Sequence, residues 1–456
     1  MKGFLISVFF LITFSSVYSQ LDTRHYIPPF YGREDLAEGG WEDIFLLIST
    51  PQTVAFDVIV TDGAGNPLPF SPVSVSRSTP FSIELSNGGV GKGPNTKFLI
   101  SSGQLATVQT DEGLILTANK AFFANIRVDE SAQAGFLTSK GTAGFGTEFR
   151  SGHIWNVNVE TNRKAHVFSF MATEDNTTVN VSDFGAVDFQ NITEPGSGII
   201  SVNLDAGESY VLAAHADAAS ANLNEVNGTR ISSDKSIVVN SGSWLAGSPS
   251  DGNQRGRDIG IDQIAPIEQT GFEYFLVKGE GTANENVIVV AHTDGTNIFL
   301  NGSSSPSNST PLDAGDYFQF TASDYTANEN MYITSNQPVY VYQGLNGSLS
   351  TNERQLGLNY IPPIVCLGGT NVDLADINQL GNPVIQIIAE TGATVEIDNG
   401  TTVTDVSASA QSVTGNSNYV TYKLTGYSGD VTVTSPRPIR VALTIESGNV
   451  GGAGFF

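Results

Sequence analysis

The chain has 456 residues, 40% of them hydrophobic, with 21 Lys plus Arg against 46 Asp plus Glu and a formal charge of −25. That much apolar material supplies cores for about three domains of ordinary size. The acidity excludes a basic footprint for nucleic acid, and a single cysteine excludes any intrachain disulfide.

The chain opens MKGFLISVFFLITFSSVYSQ, with one lysine, an apolar run from Phe4 to Phe14 and then small or polar residues. This is the layout of a secretory signal peptide, and the run is shorter than the roughly 20 apolar residues that a bilayer span takes. Val17 and Ser19 occupy the two positions that want compact side chains, so cleavage is expected after Ser19 and the mature chain starts at Gln20. The protein is read as exported, extracellular or at the cell surface, with no transmembrane segment once the signal is removed.

Four nine-residue segments follow one template: LTANKAFFA (116–124), ISSDKSIVV (231–239), ITSNQPVYV (333–341) and VTSPRPIRV (433–441). Their spacing of roughly a hundred residues marks an internal repeat. In phase with it, LDAGESY at Leu204 returns as LDAGDY at Leu312, while YIPPF at Tyr26, QIAPI at Gln263 and YIPPI at Tyr360 read as entry strands. The second unit uses GFGTEFR before Arg150 in that place. Val287–Leu300 alternates with a period of two, and Asp294–Gly295 reads as a tight hairpin turn. Asn336 and Pro338 read as a second turn, and Arg440 reads as the watered side of a half-exposed strand.

With 48 Gly and turn signals every eight to twelve residues, the fold class is all-β: tandem sandwich-like repeats of roughly 100 residues, the alternatives being one composite body of packed sheets or a propeller-like arrangement. The expected division is a signal peptide at 1–19, repeats at 20–130 and 131–247, a Gly-rich polar linker at 248–262, repeats at 263–348 and 349–447, and a Gly-rich tail at 448–456.

Chemistry-bearing residues are sparse. The five histidines, His25, His153, His166, His215 and His292, come without a nucleophile elbow or a cysteine–histidine signature. The pairs His215/Asp217 and His292/Asp294 have metal-like spacing but fall at different points of the repeat, so they are read as strand ends meeting solvent. Cys366 lies in an apolar setting and reads as a buried thiol, with an intermolecular link or a reactive group as the alternative. Trp244, Arg255 and Arg257 sit in the polar stretch 241–263, which has the parts of a recognition loop and equally those of a linker; the linker reading is taken. Sequons stand at Asn176, Asn180, Asn191, Asn227, Asn301, Asn308, Asn346 and Asn399. No catalytic residue, metal site or cofactor is expected, and no binding residue is named.

The ordered motifs TRISSDKSIVVNSGSW, DIGIDQIAPIEQTGFEYFLVKG, LNYIPPI and the closing GNVGGAGFF resemble the N-terminal domain of IgGFc-binding-protein-type surface proteins, as found in bacterial, often gliding-associated, cell-surface proteins. The resemblance runs from about Thr23 onward. It implies an exported adhesion or ligand-binding module with an extracellular protein or glycan partner and further domains C-terminal to it. Animal relatives continue into cysteine-rich repeats, which a single cysteine cannot provide, so immunoglobulin binding does not carry over. The expected function is a non-catalytic surface adhesion or binding module; a secreted carbohydrate-active enzyme and a purely structural spacer are the alternatives.

Overall fold

A computed structural model describes residues 20–32, 43–85, 97–130, 133–155, 165–192, 198–215, 223–246, 258–281, 285–346, 355–365, 368–447 and 450–456. These residues form strands and short 3-10 turns, and no α-helix occurs among them. The all-β expectation holds. The leader 1–19, Cys366, Asp217, Arg255 and Arg257 lie outside the described residues.

Three strands of 17 residues, Leu114–Glu130, Arg230–Ala246 and Asn330–Asn346, each carry one copy of the repeated nonapeptide. The fourth copy spans Val431–Thr434 and Ile439–Ser447. Between those two strands stand Pro436 and Pro438, which lack the N–H that ladder pairing needs.

The template has one structural meaning in all four places. Entry strands Asp22–Ile27, Gly146–Arg150, Gly271–Val277 and Asn371–Leu374 run antiparallel to the first half of each long segment, whereas QIAPI at Gln263 and YIPPI at Tyr360, expected in that role, instead end the strands Asp258–Ile264 and Gln355–Ile361. Asp22 faces Phe122 and Arg24 faces Thr117, so the entry strand advances two residues while the long strand advances five. The same slip separates Gly146/Ile237 from Glu148/Ser232, and Gly271/Val339 from Glu273/Thr334. In the fourth copy Asn371 faces Thr434 and the Gly369 carbonyl accepts the Ile439 N–H at 3.0 Å. Positions three to six of the template are thus squeezed out as a bulge, which bends the strand. Asn336 and Pro338, expected to form a turn, lie in that bulge, and the strand continues through it.

Bending lets each long strand serve two sheets. Its first half also pairs with Phe56–Asp62, Thr177–Ser182, Ile298–Leu300 or Glu396–Asp398. Its second half pairs with Asp43–Ser49, Ala165–Ala172, Asn286–Ala291 or Asn382–Glu390. The expected hairpin at Asp294–Gly295 is a crossing between sheets: Asn286–Ala291 and Ile298–Leu300 both pair with the long strand and not with each other. The bend in the shared neighbour sets that path.

On its other edge the second half holds Gln133–Thr138, Asp258–Ile264, Gln355–Ile361 or Val450–Phe455. These four inner strands pack side by side in a closed ring. Each carries a glycine as its third residue, and each glycine faces the next strand. A Cβ on Gly135 would lie 2.6 Å from Ile259, one on Gly260 3.0 Å from the Leu358 Cβ, one on Gly357 3.2 Å from the Ala453 nitrogen, and one on Gly452 2.5 Å from Phe136. The 258–262 segment, read from sequence as linker, is one inner strand; the Gly-rich 450–455 stretch, read as tail, is another. Asp258–Ile264 adjoins a polar, Gly-containing stretch and Val450–Phe455 is half glycine, and the ring needs backbones close together.

The cores interlock in the same circular order. The first unit's core, with Leu46, Val58 and Leu116, includes Val167, Trp244 and Ile261 of the second. The second unit's includes Tyr340, Tyr342 and Leu358 of the third; the third's includes Ile388, Ala442 and Phe455 of the fourth. The fourth closes on Phe123, Ala134 and Phe136 of the first. Arg440, read as solvent-facing, is instead 3% exposed and donates to the carbonyls of Pro362 and Pro363. Packing against the neighbouring unit took the place of water.

Gly135→Ala is expected to lower unfolding stability by about 1–3 kcal/mol through overpacking, while Gly103→Ala, where a Cβ meets open space, stays within about 0.5 kcal/mol; urea melts compare them. A second test concerns Glu285, which is buried against the Gly279 N–H at 2.8 Å and the Gln343 amide at 2.8 Å and whose pKa burial pushes up to about 7. A raised folded-state pKa contributes stability below the unfolded value of 4.5 that disappears as pH rises through about 7. The stability of Glu285→Gln relative to the parent should therefore climb by up to about 1.4 kcal/mol per pH unit between pH 5 and 7. A pH-independent difference would contradict the assignment.

Candidate functional site

An inner strand has one edge in its sheet and one edge facing the ring, where backbone N–H groups need acceptors. Two carboxylates of the second inner strand supply them. Asp258 accepts from Ala134 N–H on the first inner strand and from Gly451 N–H on the fourth, the latter at 3.0 Å. Asp262 accepts from Tyr360 N–H on the third at 3.0 Å and from Thr138 N–H on the first at 3.4 Å. Their separation of four residues puts both on the same face of the strand.

Lys140, at the end of the first inner strand, reaches Asp262 at 2.9 Å, with both side chains at least 96% buried. Burial pushes the Asp262 carboxyl up and the Lys140 ammonium down, and each is opposed by the charge of the other. Gln263 extends the network: its amide oxygen accepts the Lys140 N–H at 2.7 Å and its amide nitrogen donates to the Tyr26 carbonyl at 2.8 Å. The YIPP tyrosine near the N-terminus and the YIPP tyrosine near the C-terminus are thus both gripped by neighbouring residues of one strand.

A small cavity of about 60 Å³ opens where the inner strands end. Phe123, Lys140, Ala265, Tyr360, Arg440 and Phe455 are among its lining residues, so every unit contributes. Its walls are mainly aromatic and aliphatic, and its cations are already engaged: Lys140 with Asp262, Arg440 with two carbonyls.

Four of the five histidines are placed as follows, the side chain of His215 lying outside the described ones. His25 is buried, its Nδ1 3.0 Å from Ser139 Oγ, and burial lowers its pKa to about 4. His153 and His166 stack at 4.7 Å between ring centroids, and burial lowers His153 to about 3. Sequence reasoning missed that Ser243 Oγ lies 2.9 Å from His166 Nδ1. A serine beside a histidine is a nucleophile's arrangement, yet both are fully buried and Ser243 Oγ accepts the Ile154 N–H at 3.1 Å. The alternation of Ser241 and Ser243 was the available signal. Their role here is to seat the loop from Ser151 to Ile154.

His292 faces Glu148 at 3.7 Å, and its pKa is lowered, burial outweighing the pull of Glu148. Asp294 accepts the Ala314 N–H at 2.9 Å, so the AHTD pair does not converge. Among the described residues no three His, Cys, Asp or Glu side chains are grouped to hold a metal ion. Trp244, a candidate recognition residue by sequence, is 1% exposed and packs in the first core, where a Cβ on Gly32 would strike it at 2.6 Å. Of the sequons, Asn176, Asn191 and Asn399 are exposed, whereas Asn227, Asn308 and Asn346 are buried.

A family model described as IgGFc binding protein matches residues 134–444, more than half of the chain. The chain belongs to this family. The match starts at the first inner strand and stops inside the last long segment, leaving the first unit's sheets outside it, whereas the sequence resemblance was read from Thr23. No curated protein matches the chain. A solved structure titled "Structure of Glycoside Hydrolase family 32 from Bifidobacterium adolescentis" aligns over 95% of each chain at 8% identity with a TM-score of 0.15, too low to indicate a common fold. No helix among the described residues is long and apolar enough to cross a membrane.

Asp262→Ala leaves the Lys140 ammonium and two backbone donors buried without their acceptor. A loss of about 3–5 kcal/mol is expected, measured by chemical denaturation. A change under about 1 kcal/mol would show that the ring does not need this carboxylate.

Proposed function

We propose that this chain is an exported, non-catalytic module that binds an extracellular protein ligand at a cell surface. Membership of the IgGFc-binding family supports an extracellular binding role. The observation that carries the reading is the use of the ring's charged groups: Asp258, Asp262 and Lys140 spend their hydrogen bonds on strands and on each other. A hydrolase would need paired carboxylates open to substrate. Here the carboxylates of the ring hold a scaffold.

The leader at residues 1–19 supports export, with Gln20 as the mature N-terminus. The four bent strands and the inner strands paired with them make the frame on which such a surface would be carried. The family's description names the Fc portion of immunoglobulin G as a ligand of its namesake, so immunoglobulin G belongs in the ligand panel.

The test immobilises the mature chain and measures binding to purified immunoglobulin G and extracellular matrix proteins, beside turnover of chromogenic glycosides. Saturable binding to at least one protein with no turnover is expected. Turnover, or an inert surface toward every protein, would favour the enzyme or the spacer instead.

A further inference from the structure

Asparagine followed by glycine occurs five times in the chain, and the steps at Asn227, Asn301 and Asn399 lie wholly among the described residues. In such a step the glycine nitrogen can attack the asparagine carboxamide, because no Cβ on the glycine stands in the way. The three steps share that local sequence and differ in what holds the carboxamide.

Asn227 is buried, its Oδ1 accepting the His153 N–H at 2.7 Å and its Nδ2 donating to the Asn224 carbonyl at 3.1 Å. The Gly228 N–H donates at 2.9 Å to the carbonyl of Ser151, a group too weakly basic to take its proton. Asn301 is pinned at both ends too, with Oδ1 on the Tyr332 N–H at 3.0 Å and Nδ2 on the Asp324 carbonyl at 3.4 Å. Attack on either carboxamide has to break these bonds.

Asn399 is exposed in the hairpin turn between Glu396–Asp398 and Val403–Asp405. Its side-chain hydrogen bonds converge on Oδ1, from the N–H groups of Thr401 and Thr402 at 3.1 and 2.9 Å and from their hydroxyls at 2.8 and 3.2 Å. These donors stand where negative charge grows on Oδ1 when Cγ is attacked. The Gly400 N–H donates to Asp398 Oδ1 at 2.9 Å, so a carboxylate is placed to take its proton. A Cβ on Gly400 would meet nothing within 4 Å, and the turn has room for a new ring. Electrophile, donors, nucleophile and base therefore belong to one unbroken stretch, Asp398 to Thr402.

We propose that Asn399 is a site of self-modification, at which the Gly400 nitrogen closes a succinimide and water reopens it to an aspartyl or isoaspartyl residue. The bond from the Gly400 nitrogen to Cγ forms, the Cγ–Nδ2 bond breaks, and Nδ2 leaves as ammonia with the proton that Asp398 took. Water adding at Cγ gives aspartate. Water adding at the backbone carbonyl carbon of Asn399 gives the isoaspartyl link, which runs the main chain through Cγ. Either product adds a negative charge to the hairpin whose Asp398 holds Arg77 of the first unit at 2.8 Å.

Peptide mapping of the full chain after incubation in mildly alkaline buffer tests it, read by the mass gain of an NH2-to-OH exchange and by enzymatic methylation of isoaspartate. In the folded chain Asn399 should convert at least about tenfold faster than Asn227 or Asn301, and in denaturant, where only the shared Asn-Gly sequence remains, the three rates should converge. Asp398→Asn should slow Asn399 several-fold. No conversion at Asn399, equal rates in the folded chain, a difference that persists in denaturant, or an unchanged rate in Asp398→Asn overturns the proposal. Should Asp398→Asn fail to fold, the comparison of the three asparagines in the parent chain still decides.

Discussion

Four strands, each with an edge turned toward its neighbours in a ring, have to lie close enough to exclude water and still satisfy their N–H groups. The rest of the structure depends on that requirement. Glycine at the third position of every inner strand permits the approach, since a Cβ there would stand 3.2 Å or less from the next strand. Asp258 and Asp262 then accept the N–H groups that the sheets leave over. Buried carboxylates carry a large desolvation penalty, and here several backbone donors and one ammonium offset it.

From the ring outward the architecture is repeated bending. A strand that passes through a bulge can pair in two sheets, and two sheets face to face enclose a core. Because units also pack on one another, each unit's core includes apolar residues of a neighbour. The fourth core reaches back to Phe123 and Phe136, so the circle is closed by the first unit's own long and inner strands. The seam between first and last units is fastened by polar groups as well, with Arg77 on Asp398 and Arg127 on the carbonyls of Ala375 and Asp376.

Much of this was legible in the sequence. The all-β class followed from alternation and glycine-rich turns, and the nonapeptides pointed to the positions where all four long segments bend. Their polar third-to-sixth residues looked like turns because extruded bulge residues and turn residues meet the same demands: solvent contact and irregular φ. The inner strands were misread for a related reason. Asp258–Ile264 follows a polar, Gly-containing stretch and Val450–Phe455 is half glycine, and only neighbours far away in the chain turn Gly260 into a contact and Asp262 into a bridge. Trp244 and Arg440 went astray similarly, since a residue facing the adjacent unit has the same local pattern as one facing water. No sequence signal could place Asp398 opposite Arg77, residues separated by 321 positions.

The central claim is that the four units form one closed body through their inner strands and not a string of separate sandwiches. Differential scanning calorimetry of the mature chain tests it most directly, by comparing the calorimetric with the van't Hoff enthalpy of unfolding. A single transition with the two enthalpies equal is the predicted result. Resolved transitions, or a calorimetric enthalpy several times the van't Hoff value, would mean that the units melt independently and that the ring does not bind them together.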